Sequence, residues 1–215
     1  MNNKRNISII GGTGHVGFAL GLIFSSKGFN VSLIDVNQEN IKKVNSGKVP
    51  FLEENSQTLL RRMIRKKKIY ATNKLQDVQK SKYIIICIGT PVDKNLNPKL
   101  KNFINFFHQL KKFLRKDQIV IIRSSIYPGI CNKIYEIIKN RCSNLSYCPE
   151  RIVQSKAISE LPKLPQLVSG KSKIAINESK NLFKKVCKKI IITEVIEAEL
   201  VKLFSNAYRY INFSI

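Results

Sequence analysis

The chain has 215 residues, of which 43% are hydrophobic, enough to bury one large core or one domain plus part of a second, and this excludes a disordered polymer. Its formal charge of +24 has the sign that suits polyanions. Yet the basic residues, as in Arg61-Arg62, Arg65 to Lys68, Lys111-Lys112 and Lys184-Lys185, alternate with apolar positions at helical spacing, as solvated helix faces do.

No interleaving of aromatic and basic residues speaks for nucleic acid, and steering of small anions such as dinucleotides is the simpler consequence of the charge. Five cysteines without a C-x-x-C pair and only two histidines speak against a disulfide scaffold and a zinc site. No stretch reads as a secretion signal or a membrane span, so the expected compartment is the cytoplasm, with no membrane partner.

The first element is a strand, Ile7 to Ile10, running through Gly11-Gly12-Thr13-Gly14-His15-Val16-Gly17 into an apolar helical pattern. From Gly12 the spacing is G-x-G-x-x-G: one glycine for the turn, one for close approach of a pyrophosphate, one for packing of helix on strand. A glycine-rich turn without a ligand is the bland alternative. A second strand, Asn30 to Ile34, ends in Asp35, at about the ~20-residue distance of an acid that binds a ribose hydroxyl. Asn37 is placed to cap a helix through Ser46, with Gly47 as its stop. A loop from Val49 to Glu54 precedes a basic helix, Ser56 to Lys67, and a short strand, Ile69 to Thr72. One or two helical turns fit Leu75 to Lys80, and Tyr83 to Ile88 has the apolar run of a central parallel strand, with Cys87 a small core residue.

That strand ends in Gly89-Thr90-Pro91-Val92, at the carboxyl end where open α/β sheets bind ligands. Leu100, Phe103, Phe107, Leu110 and Leu114 form a helical stripe that reads as core, with His108 structural. The next strand, Gln118 to Ile122, runs into Arg123-Ser124-Ser125-Ile126-Tyr127-Pro128-Gly129, again with hydroxyls at a strand end. A helix from Ile130 to Asn140 leads to a strand, Leu145 to Cys148, that stops at Pro149-Glu150-Arg151. Glu150 there either projects into the same crevice or forms a surface pair with Arg151. After Gln166 to Gly170 (strand), Ser172 to Lys189 (basic helix) and Ile190 to Ile192 (strand), the last segment, Glu194 to Ile215, is an apolar helix without a cap, as if cut inside an element. Lys202 and Asn206 share one of its faces, and spacing alone reads them as ordinary helix surface.

Taken in order, Gly12-x-Gly14-x-x-Gly17, Asp35, Gly89-Thr90-Pro91, Ser124-Ser125 with Pro128-Gly129, Pro149-Glu150-Arg151, and Lys202 with Asn206 resemble the UDP-glucose/GDP-mannose dehydrogenase family. The likeness covers the family's N-terminal part, with Pro50 to Glu53 and Leu164 to Val168 also similar to family segments. It implies an α/β fold: a Rossmann-like, doubly wound, mostly parallel sheet followed by the start of a long central helix. The implied division is an NAD-binding domain over 1–193 and a dimerisation helix from 194 to 215, the full-length form being a homodimer. The implied cofactor is NAD, bound by Gly12, Gly14, His15, Val16, Gly17, Asp35, Gly89, Thr90 and Ser124, and Asp35 with no basic residue immediately after it favours NAD over NADP.

The implied reaction is oxidation of the C6 hydroxymethyl of a UDP-sugar to a carboxylate by two hydride transfers through a thiohemiacetal and a thioester. By matching positions, Glu150 activates water, Ser125 orients water or substrate, and Lys202 with Asn206 stabilises the oxyanion. Arginine after Glu150 resembles the branch acting on UDP-N-acetylhexosamines, especially UDP-N-acetylmannosamine, more than UDP-glucose 6-dehydrogenases. Four departures stand against this: Ser125 for threonine, Gln154 for a second glutamate, Asn40 for arginine, and no counterpart of the family's nucleophilic cysteine. Cys148, nearest the site in sequence, precedes the Pro-Glu turn and reads as a bystander. A truncated, inactive NAD-binding module is therefore the alternative reading of this polypeptide.

Overall fold

The computed structural model describes residues 5–90, 100–150 and 156–214, with side chains as far as Asn212. In chain order the elements are β1 (Asn6–Ile10), α1 (His15–Ser26), β2 (Asn30–Ile34), α2 (Gln38–Asn45), α3 (Ser56–Arg65) and β3 (Ile69–Thr72). A 3-10 turn over Leu75–Lys80 leads to β4 (Tyr83–Ile86), α4 (Leu100–Leu110), β5 (Ile119–Ile122), α5 (Ile130–Ile138) and β6 (Leu145–Tyr147). Then come α6 (Ala157–Glu160), β7 (Gln166–Gly170), α7 (Lys173–Phe183), β8 (Ile190–Ile192) and α8 (Val195–Ser214).

The strands form one eight-stranded sheet in the order β3-β2-β1-β4-β5-β6-β7-β8. Among the described residues every pairing is parallel except β6 with β7, where Ser146 faces Gly170 and Tyr147 faces Ser169. The sheet is doubly wound because successive residues of each central strand serve opposite faces. Ile7, Ile9 and Ile85 pack under Phe18, Leu22 and Phe24 of α1, Leu60 of α3 and Phe183 of α7. Ile10, Ile84, Ile86, Val120 and Ile122 pack under Phe103 and Phe107 of α4 and Ile134 of α5. With both faces covered, all four residues of β4 and of β5 are buried, which is why their sequence is continuously apolar rather than alternating.

Local chemistry sets most boundaries. Asn37 Oδ1 accepts the Asn40 backbone N–H at 3.0 Å and caps α2, and Gly47 follows the helix at φ +74°. Some elements stop sooner than periodicity predicts. β4 ends at Ile86, α5 at Ile138, and α7 at Phe183 rather than Lys189. His108, expected to be structural, is exposed on the outer side of α4, while Phe103 and Phe107 are buried as expected.

α8 departs most from the pattern. The residues it buries against the domain are Ala198, Glu199 (1% exposed) and Lys202 (9%). Its large apolar residues, Ile196, Leu200, Phe204 (66%), Tyr208 (71%) and Ile211, face outward. Among the described residues no helix is long and apolar enough to cross a membrane.

Candidate functional site

The carboxyl ends of β2, β1, β4, β5 and β6 lie side by side, and sheet order reverses between β1 and β4, the switch point at which such sheets open a crevice. The glycine-rich loop is pinned over that point. Gly11 and Gly12 both donate to the Ile34 carbonyl, at 2.9 and 3.1 Å, and Gly14 donates to Gly11 O at 3.2 Å.

The glycines are required for different reasons. Gly11 has φ +73°, and a Cβ there meets Cys87 O at 2.7 Å; at Gly12 it meets Ile9 O at 2.6 Å, and at Gly17 Gly11 O at 2.3 Å. These three positions are demanded by the protein's own backbone. At Gly14 the nearest atom is 3.5 Å away, an ordinary contact, and the residue is exposed at the start of α1. The space a side chain would occupy there is the space in which phosphates approach a helix N-terminus. Gly11 was not singled out in the sequence, because the motif count begins one residue later.

Asp35, half-buried at the end of β2, takes the Thr13 N–H on Oδ2 at 2.9 Å and the Val36 and Asn37 N–H groups on Oδ1 at 2.8 and 3.2 Å. A carboxylate has about four acceptor positions, so one remains for a ligand hydroxyl. Beside it is a cavity of about 530 Å³ whose lining includes Gly14, Asp35 and Gly89 among the expected residues, and Leu75 and Phe106 as apolar walls. The two apolar walls went unrecognised: Phe106 is adjacent to the core stripe of α4 and half-buried, the signature of a residue serving a cleft. His15, Val16, Thr90 and Ser124 are outside this lining. His15 packs against Phe51 with ring centroids 3.9 Å apart and the rings tilted by 41°.

Along the sheet, Thr90 Oγ1 donates to the Ser125 carbonyl at 2.7 Å, tying the ends of β4 and β5 together. Ser124 is buried and Ser125 half-buried. Glu150 is buried and not at the surface, and its carboxylate pairs with Arg123. Arg151, Gln154 and Pro91 lie outside the described residues. Arg123 also donates to Gln166 Oε1 at 2.8 Å and to Cys148 O at 3.3 Å, and its guanidinium carbon lies 5.0 Å from the Phe183 ring centroid. Burial pulls the guanidinium pKa below its usual value. Arg123 went unrecognised as a site residue, since one basic residue after a strand reads as loop.

Lys202 corrects the helix-surface reading: it is buried, and its Nζ donates to the Glu150 carbonyl. Asn206, one turn further along α8, is half-buried. Glu199, three residues before Lys202, accepts the Gly129 N–H at 2.7 Å and the Cys131 N–H at 2.9 Å at the start of α5. The structure thus gathers Ser125, Glu150 and Lys202 around the ends of β5 and β6, with Gly14, Asp35 and Gly89 around the cavity at β1 and β4.

All five cysteines are free. Burial pushes the Cys87 and Cys148 thiols up to about 12 each, and burial with the neighbouring Glu199 carboxylate raises Cys131. Cys142 and Cys187 are raised by burial as well. No thiol of this chain is therefore a ready nucleophile. Among the described residues no group of three or more His, Cys, Asp or Glu is arranged to hold a metal ion.

Comparison with known proteins matches residues 5–188 to a family model described as the UDP-glucose/GDP-mannose dehydrogenase family, NAD binding domain. A UDP-N-acetyl-D-mannosamine dehydrogenase of Pyrococcus horikoshii is 27% identical over 212 residues, 95% of this chain and 50% of that protein. Its counterpart in Methanococcus maripaludis is 28% identical over 216 residues, 98% of this chain and 49% of that protein. Among solved structures, UDP-D-ManNAc dehydrogenase from P. horikoshii superposes with a TM-score of 0.89 at 28% identity, covering 95% of this chain and 50% of that one. GDP-mannose dehydrogenase from Pseudomonas aeruginosa, at 23% identity, a TM-score of 0.88 and coverage of 96% and 50%, shares the fold. The chain spans about half the length of the curated relatives it matches.

Proposed function

Because this chain belongs to the UDP-glucose/GDP-mannose dehydrogenase family, we propose that it is the NAD-binding part of a nucleotide-sugar 6-dehydrogenase. The observation that carries the reading is Gly14: the one motif glycine whose side chain the fold has room for, exposed at the start of α1 beside the Asp35 cavity. In this reading the Gly12 to Gly17 loop and the first turn of α1, with His15 and Val16, hold the pyrophosphate of NAD, and Asp35 the adenosine ribose. Leu75 and Phe106 flank the adenine, and Gly89, Thr90 and Ser124 border the nicotinamide end. The bound cofactor accepts hydride, so no metal is required for the oxidation.

The chemistry assigned to the chain's own side chains follows from their placement. Lys202 carries an ammonium, and Asn206 an amide one turn beyond it; together they stabilise negative charge on the substrate's C6 oxygen, where removing a single donor costs on the order of 100-fold in rate. Ser125 supplies a hydroxyl that orients water or substrate, and Glu150 a carboxylate for water activation. A UDP-sugar is the substrate class, and UDP-N-acetylmannosamine is favoured by the names of the relatives at 27–28% identity. UDP-glucose is the alternative.

Residues 1–193 form the cofactor domain and 194–215 begin a helix that pairs with a second copy; its outward face of Ile196, Leu200, Phe204, Tyr208 and Ile211 supports that reading. A second reading, an NAD-binding module without turnover, is favoured for these 215 residues by the five buried or raised thiols. The test is calorimetry of NAD+ with the chain, followed by NADH formation from UDP-N-acetylmannosamine, UDP-N-acetylglucosamine and UDP-glucose by a version extended through the rest of a full-length relative. Absence of NAD+ binding to the chain defeats the proposal. Turnover by the chain alone defeats the second reading.

A further inference from the structure

Val195 and Ala198 at the start of α8 pack on the core, and beyond them the seat of the helix on the domain is polar. Of its large side chains, those that turn inward and bury are Glu199 and Lys202, with Ala198 between helix and sheet, while the apolar stripe faces away. An apolar seat tolerates sliding and rotation at similar burial, because the hydrophobic effect is non-directional. Hydrogen bonds weaken steeply with angle, so a polar seat specifies one rotation and one register.

We infer that Glu199 is the positioning residue that sets Lys202 on Glu150. Its two carboxylate oxygens take two different amides, Gly129 at 2.7 Å and Cys131 at 2.9 Å, in the first turn of α5. Those amides form the positive end of the α5 dipole, so the carboxylate is held by charge as well as by direction. A bidentate grip fixes both the rotation of α8 and its height. Lys202 follows by three residues, about 4.5 Å along the helix axis and nearly a full turn around it. From there its Nζ reaches the Glu150 carbonyl.

The same grip ties α8 to the chain leaving β5. Gly129 ends the segment that begins with Ser124 and Ser125, so one carboxylate couples the helix carrying Lys202 and Asn206 to the loop carrying the two hydroxyls. Glu199 touches none of the proposed reacting atoms. It acts through Lys202.

This inference rests on the reading of Lys202 as a site residue, and its test separates the two. Lysine acylation of the native chain, followed residue by residue by mass spectrometry, reports where the Lys202 amine sits and is indifferent to what it catalyses. In Glu199→Gln one amide loses its acceptor and the charge is removed at constant size. Lys202 is expected to acylate about tenfold faster, while Lys180 on α7 keeps its rate. Glu199→Asp, which keeps the charge on a shorter arm, is expected to fall between. Faster amide exchange at Gly129 and Cys131 with an unchanged Lys202 rate overturns the inference, since Glu199 then merely caps α5. Should Glu199→Gln raise all lysines together, Glu199→Asp decides: a selective rise at Lys202 supports the inference, and none overturns it. Turnover of Lys202→Ala in the extended protein tests the chemistry of Lys202 separately.

Discussion

Arg123 and Glu150 pair across the ends of two neighbouring parallel strands, and both are withdrawn from solvent. A buried ion pair contributes little net stability against an apolar replacement, yet breaking it is costly because one charge is left without its partner. Arg123→Met is therefore expected to destabilise the chain by about 3–5 kcal/mol, and Arg123→Met/Glu150→Gln by clearly less. Urea denaturation of the two single variants and the double variant measures this. Additive losses would show that the two side chains act independently.

The glycines of the loop separate fold from ligand. Gly14→Ala is expected to leave the melting temperature within a few degrees of the parent, since its Cβ has no neighbour nearer than 3.5 Å, while weakening NAD+ by more than about tenfold. Gly17→Ala, whose Cβ falls 2.3 Å from Gly11 O, is expected to lower stability by about 1–3 kcal/mol as well. Calorimetry and thermal melts on the same samples distinguish the two. Equal loss of stability in both would contradict the assignment of Gly14 to a ligand.

Asp35 holds its own loop through Thr13, Val36 and Asn37, and no basic residue stands immediately after it in sequence. A 2′-phosphate placed against this carboxylate meets like charge, so NADP+ is expected to bind more weakly than NAD+. Competition between the two dinucleotides measures the preference, and Asp35→Ala is expected to reduce it. Tighter binding of NADP+ contradicts the ribose assignment.

The thiols set an alkaline limit. Cys148 is fully buried and its thiol is pushed up to about 12, from an ordinary value of 9.0. Between those values the unfolded chain releases this proton and the folded chain keeps it, so fewer protons are bound in the unfolded state and stability falls as pH rises. Full stability from this group is expected below pH 9, with loss progressing toward pH 12. Urea midpoints measured from pH 8 upward are expected to decline less in Cys148→Ala than in the parent. Alkylation of Cys148 at neutral pH is expected only on unfolding.

How much of this was legible in the sequence depends on whether the signal was local. The strand, glycine turn and helix from Ile7 onward, the Asn37 cap and the apolar runs of β4 and β5 each carry their instruction within a few residues. Periodicity on α8 correctly marks an apolar face but carries no information on what covers it. The domain takes the other face, which is why Lys202 reads as surface when it is buried. Arg123 is hidden for a related reason. Its partners Glu150 and Gln166 are 27 and 43 residues away, and the sheet alone brings them together.

The antiparallel pairing of β6 with β7 decides which side chains can enter the crevice at that edge. Because β7 runs against β6, its first residue arrives beside the segment that leaves β6, where every other strand of the crevice brings its last. Gln166 is that residue, and its amide faces both ways, accepting from Arg123 at 2.8 Å and donating to the Pro149 carbonyl at 3.3 Å. A uniformly wound sheet would offer only departing chain ends at this edge. Reversal lets an arriving strand brace the turn that carries Glu150.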